Sequence, residues 1–175
     1  MNTEEIKDRL IRLDEDAELT FGEEINFKCY IVGGGALILM GYIIRATHDL
    51  DVLEIVPKQL KPLFEKYDMN TDVMSYYDCF PQNFEKRANY IDLPTNKIQF
   101  YTLSLEDLVI SKLCTTRGGQ DITDINSQKI ISSIDWEVLA RLAESMKYSM
   151  LSSVGYDNFI FNYNEYVRRN KVWGN

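Results

Sequence analysis

A chain of 175 residues, 45% of them apolar, holds enough material for one hydrophobic core, or a small core with an appended helical half. Eleven tyrosines against four prolines exclude a disordered composition, and no run of about 18 apolar residues is present to span a membrane as a helix. A net charge of −8 argues against a protein that grips duplex nucleic acid along an extended basic surface.

The opening Met-Asn-Thr-Glu-Glu-Ile-Lys lacks the basic-then-apolar order of an export signal. Cys29, Cys79 and Cys114 have no metal-like spacing, so reduced thiols and a cytoplasmic setting are expected. Residues 2–19 read as a first helix. Asn2 and Glu5 form a capping box, and Ile6, Leu10, Leu13 and Ala17 recur at helical spacing. After an acidic connection, residues 25–32 are rich in β-branched and aromatic side chains and predict a buried strand. Gly33, Gly34 and Gly35 then let the backbone turn sharply and approach a ligand closely. An almost wholly apolar stretch, residues 36–44, predicts a buried helix.

Residues 49–56 predict a second strand. Strand alternation sends Leu50 and Val52 inward and puts Asp49 and Asp51 on the opposite face, with Cα atoms ~6.5–7 Å apart. Two carboxylates so placed repel each other, and either a metal ion or solvent at a strand end relieves the repulsion. Two other phosphate-binding patterns fail. The third glycine of a dinucleotide fingerprint falls on Ile38, and no Gly-Lys-Ser/Thr triplet exists for a phosphate loop.

Pro57 suits the start of a helix over residues 58–67 that turns Leu60, Leu63 and Phe64 inward. Residues 71–77 predict a short strand and 78–86 a loop. Residues 88–93 and 97–103 predict a hairpin turning at Pro94-Thr95-Asn96. Ser104, with an acid three residues on, starts a helix that runs to about Thr115. Three further helices are expected at 121–131, 135–148 and 157–169, with Asp135 capping the second and Gly155 breaking before the third. The basic run Arg168-Arg169-Asn170-Lys171 reads as a solvated helix end favoured by the dipole, ahead of a local nucleic-acid contact.

The combination of Gly33-Gly34-Gly35, an apolar helix and Arg45-x-Thr47-x-Asp49-Leu50-Asp51 resembles the active-site signature of the DNA polymerase β-like nucleotidyltransferase superfamily. Its minimal bacterial members, among them the AbiEii-type toxins, are the nearest match. The resemblance implies that Gly33, Gly34 and Gly35 hold the triphosphate of an NTP and that Asp49 and Asp51 bind Mg2+. It also implies a third carboxylate from a later strand, for which Asp92 is the candidate and Asp72 and Glu85 compete. Arg45 would balance the acids or the triphosphate. Thr47 would bond a phosphate or tie the turn, the commoner role, and His48 is a turn residue beside the site.

A second piece is similar to another signature of the AbiEii-like group: Ser104-x-Glu106-Asp107-Leu108-x-x-x-Lys112-Leu113, then Arg117-x-x-x-Asp121-x-x-Asp124-Ile125. It implies Lys112 in a triphosphate-binding or base role, and Asp121 or Asp124 as a polar or acidic group of the same cleft. On the residues alone, Lys112 is an exposed lysine and Asp121 a helix cap. The whole implies an α/β fold: a small mixed sheet with helices over residues 1–103, and a helical region, 104–175, packed on that core. The implied function is Mg2+-dependent transfer of a nucleoside monophosphate to a hydroxyl on RNA, a small molecule or a protein, with an antitoxin as a possible partner. The alternative is a catalytically degenerate fold that binds a nucleotide or a protein.

Overall fold

In the computed structural model, which describes residues 1–115 and 118–171, the chain divides into two units. The first comprises Met1–Ser75 and Arg87–Leu103; the second comprises Tyr76–Lys86 and the chain from Ser104 onward. Arg117, quoted above for the second signature, lies outside the described residues.

The first unit carries a mixed five-stranded sheet, as the α/β reading expects. Helix α1 (Thr3–Phe21) opens with the anticipated capping box between Asn2 and Glu5, and it buries Ile6, Leu10, Leu13 and Ala17. It also buries Asp14, at 2% exposure. The Asp14 carboxylate accepts from three consecutive backbone N–H groups, those of Asn96, Lys97 and Ile98, at 2.7, 2.8 and 2.6 Å. An ionised carboxylate is affordable inside a protein only when saturated with donors in this way. The bond set fastens α1 to the head of the last long strand.

The strands are β1 (Phe27–Val32), β2 (Leu50–Val52), β3 (Met69–Asn70), β4 (Asn89–Tyr90) and β5 (Ile98–Thr102), in the order β3-β2-β1-β5-β4. The central pair, β1 and β5, is parallel in a register that sets Phe27 against Ile98 and Ile31 against Thr102. Strand β2 runs antiparallel to β1, with Val32 opposite Asp51, and parallel to β3. Strands β4 and β5 make the predicted hairpin, with Tyr90 opposite Tyr101.

Helix α2 (Gly33–Leu39) departs from the expected span of 36–44 at both ends. Its start takes in the glycines. Its end is set by Gly41, whose φ of +73° is the left-handed conformation that closes a helix. The Gly41 N–H bonds to the Ile38 carbonyl and the Tyr42 N–H to that of Leu37, the paired bonds of a Schellman motif. The apolar pattern continues past this stop, so Ile43 is half-buried and Ile44 fully exposed.

The strand expected at 49–56 is ladder-paired only at Leu50–Val52, and helix α3 covers Lys61–Lys66 in place of 58–67. The strand expected at 71–77 is instead a run of 3-10 turns, Asp72–Cys79. The Asn70 side chain accepts from the Asp72 N–H, an Asx turn that takes the chain out of the sheet just after β3.

The second unit is helical. Helix α4 (Leu105–Cys114) is capped by Ser104, as expected, and buries Leu105, Leu108, Val109, Ile110 and Leu113 around its circumference. It packs against α7 (Trp136–Ser145) and α8 (Ser153–Asn170), which makes it the central helix of this unit. The single helix expected over 121–131 is two, α5 (Gly118–Ile125) and α6 (Gln128–Ser133), because Ser127 caps a new start by accepting from the Ile130 N–H. Asp135 caps α7 as predicted. Gly155 does not break the chain before α8. It lies in the first turn, where its N–H donates to the Ser152 cap.

Candidate active site

The glycine triplet seats three different side chains. Gly33 leaves the end of β1 with φ +64°, a conformation that side-chain-bearing residues rarely adopt. A Cβ there would lie 2.5 Å from Oδ2 of Asp51. A Cβ on Gly34 would collide with the Arg45 guanidinium, and one on Gly35 would meet Leu50 Cδ2 at 2.6 Å. The bare backbone therefore lets a carboxylate and a guanidinium settle on neighbouring residues of one turn, while Leu50 packs beneath α2.

Asp51 comes to this position by register. It is directly opposite Val32, the last residue before the glycines, and Leu50 and Val52 on either side are completely buried. Alternation then fixes the carboxylate on the other face of the sheet. Asn70, its partner in β3, donates from Nδ2 to Asp51 Oδ1 at 2.8 Å. One oxygen is thus held by an amide and the other is turned over Gly33. Nothing local in the sequence marks Asn70, because the strand is expected at 71–77 and the pairing that sets Asn70 beside Asp51 is long-range.

Asp49 precedes β2 and is exposed. Thr47 donates from Oγ1 to the Asp49 carbonyl at 3.0 Å, so it ties the turn that carries the first acid. His48 is exposed beside it, and its carbonyl accepts from Arg9. Arg45 also donates to the Ala46 carbonyl at 3.3 Å.

Asp92 is not brought to this group. It is exposed and lies just beyond β4, three strand spacings from β2 in the sheet order. Continuing the registers sets it opposite Gln99, which pairs with Lys28, whereas Asp51 pairs with Val32. Strand geometry makes the separation roughly 19 Å. The positions on Asp51's face of β1 and β5 are Lys28, Tyr30, Val32, Gln99 and Tyr101, none of them acidic. Asp72 directs its carbonyl to Ser75 at the start of the 3-10 run. Glu85 belongs to the second unit. Among the described residues, no three His, Cys, Asp or Glu side chains gather as a metal-binding group.

Lys112 is not the exposed lysine that the residues alone suggested. It is 5% exposed, and its ammonium donates to Asp121 at 2.5 Å and to Asp124 at 3.0 Å. Asp124 is itself buried, and Asp121 accepts a second bond from Thr115 Oγ1 at 2.9 Å. The three groups of the second signature therefore form one ion cluster that fastens α5 to the last turn of α4. The basic run at the end of α8 is engaged locally, with Arg168 and Arg169 both reaching Glu165 at 2.8 and 3.3 Å.

A family model described as "Nucleotidyltransferase of unknown function (DUF6036)" matches residues 8–171. The chain belongs to that family. No curated protein and no solved structure matches the chain. The nucleotidyltransferase match spans both units, so the glycine turn with its acids and the Lys112 cluster fall inside it together. Among the described residues, no helix is long and apolar enough to cross a membrane.

Proposed function

We propose that the chain transfers a nucleoside monophosphate from a magnesium-bound NTP to a hydroxyl acceptor on RNA, a small molecule or a protein. One observation carries the reading: the Asp51 carboxylate and the Arg45 guanidinium rest on consecutive glycines at the turn into α2. The residues fit the ion. Magnesium takes oxygen ligands in a near-octahedral shell and is commonly held by one or two carboxylates, with phosphates and water supplying the rest. Asp49 and Asp51 are donors of that class, and the seat over Gly33 is one that any Cβ would fill.

Asp49 and Asp51 would hold the magnesium, which when bound would supply Lewis-acid polarisation of the α-phosphate and compensate charge on departing pyrophosphate. The protein's own residues do the remaining work. Asn70 keeps Asp51 turned toward the glycines, and Thr47 fixes the backbone that presents Asp49. Arg45, whose guanidinium is seated on Gly34, is the fixed cation for the phosphates, while the space over Gly35 is taken by Leu50. The Lys112–Asp121–Asp124 cluster serves this scheme as scaffolding of the second unit, since its ammonium is already bonded to two carboxylates.

The alternative, a degenerate fold that binds a nucleotide or a protein without turnover, draws support from the non-acidic residues on Asp51's face of β1 and β5. Thermal shift decides between ligand binding and none. Magnesium plus an NTP stabilises the wild type and fails to stabilise Asp51→Asn if the site is as described. Transfer of label from α-labelled NTPs into total RNA or protein then separates turnover from binding. A melting temperature indifferent to every nucleotide and metal pairing overturns the transferase reading and the nucleotide-binding form of the alternative, leaving only protein binding.

A further inference from the structure

The face of the sheet that carries Asp51 also carries three tyrosine rings in contact. Tyr30 stacks on Tyr101 with centroids 5.3 Å apart and planes inclined by 30°. Tyr90 meets Tyr101 edge-on at 5.5 Å. The register requires this, because Tyr30 and Tyr101 are partners across β1 and β5, and Tyr101 and Tyr90 are partners across β5 and β4. Exposure rises along the row: Tyr30 is 6% exposed, Tyr101 is intermediate, and Tyr90 is 52% exposed.

Three polar groups flank the rings: Lys28, Gln99 and the exposed Asp92, which the register sets opposite Gln99 on this face. The Lys28 ammonium stands 5.9 Å from the Tyr101 centroid, and the Tyr101 hydroxyl donates to Gln99 Oε1 at 3.3 Å. Lys28 and Gln99 are both exposed. Helix α2 takes no part here, since Gly35 packs on Leu50 and Ile31, which face the other way.

An aromatic row with an exposed terminal ring and a cation beside it suits a nucleobase stacked on the ring with its phosphate at the ammonium. Strand spacing sets Tyr90 roughly 16 Å from Asp51 on the same face, within reach of a short strand. The net charge of −8 argues against a long electrostatic track, so the contact proposed is a short one. We infer that Tyr90, Tyr101 and Lys28 form a stacking platform for the single-stranded end of a nucleic-acid acceptor. This rests on the nucleotidyltransferase reading and selects RNA-like acceptors over small molecules and protein side chains.

The test is fluorescence anisotropy with a labelled, unstructured single-stranded RNA pentamer, using the full chain without NTP or magnesium. Wild type is expected to bind it, and Tyr90→Ala to bind about 5- to 150-fold more weakly, the range for losing one base-stacking ring. Tyr90→Phe keeps the ring and is expected to keep the affinity. Lys28→Gln is expected to lower the salt dependence by about one ion. Asp51→Asn is expected to bind the pentamer as wild type does, while failing the metal–nucleotide thermal shift. The two assays share no ligand, so failure of the platform and failure of the nucleotide site are told apart. Absence of wild-type binding, or equal binding by wild type and a Tyr90→Ala protein of unchanged melting temperature, overturns the inference.

Discussion

Asp51 matters because two neighbours fix it: a glycine that yields space and an amide that holds one oxygen. Asn70→Ala removes that amide and leaves the carboxylate in place, so nucleotidyl transfer is expected to fall by ~10–100-fold, the usual effect of losing an orienting partner of a metal ligand. The same change deletes the Asx turn to the Asp72 N–H, so a modest fall in melting temperature should accompany the loss of transfer. Gly33→Ala differs in kind. It forces a left-handed backbone on a side-chain-bearing residue, at about 1–2 kcal/mol, and drives a methyl into Asp51 Oδ2. Urea denaturation should show the loss of stability, and transfer activity should be lost with it. Of this arrangement, the glycines, Asp49 and Asp51 were legible in the sequence, because glycine runs and strand alternation are local signals. Asn70 was not, because its role depends on β3 pairing beside β2, a long-range fact that no short pattern carries. Asp92 misled for the same reason: an acid on a predicted strand says nothing of where in the sheet order that strand will sit.

Among elements, α1 shows how a helix can be read correctly for its apolar stripe and still hide its decisive residue. Asp14 lies among Leu10, Leu13 and Ala17 and is saturated by three N–H groups at the start of β5. Asp14→Ala strands those donors and should cost ~3 kcal/mol or more by chemical denaturation, since each buried orphan costs about 1–3 kcal/mol. Asp16, two residues on, makes a pH-dependent contribution. Its hydrogen bonds from Lys66 and Tyr67 hold its carboxyl below the usual range. A carboxylate that ionises more readily folded than unfolded adds stability above pH about 4 and loses it as the pH falls below that value. The difference between wild type and Asp16→Asn in urea midpoints should therefore be present at pH 7 and close on acidification. Helix ends were the least legible part. The apolar run through Ile44 outvoted Gly41, and the Ser127 cap that divides α5 from α6 looked like one more polar residue within a helical pattern.

At the scale of the whole molecule, the α/β class and the helical second half followed from periodicity, whereas the membership of Tyr76–Lys86 in the second unit did not, because that segment is interrupted in sequence by the β4–β5 hairpin. The second unit holds its own test of what Lys112 does. Lys112→Ala removes the ammonium shared by Asp121 and the buried Asp124 and should destabilise the second unit, read as a fall in urea midpoint. A variant that melts as wild type but loses transfer would instead return Lys112 to the phosphates.

The parallel ladder between β1 and β5 bears on how the protein is made. Its first rung joins Phe27 to Ile98, so everything between them must be synthesised before the middle of the sheet can close. Until Asn96 to Thr102 have been made, β1 lacks its β5 partner and Asp14 lacks the backbone N–H groups it accepts from. A nascent chain arrested before that point should be protease-sensitive across its glycine turn, and one released after it should abruptly resist.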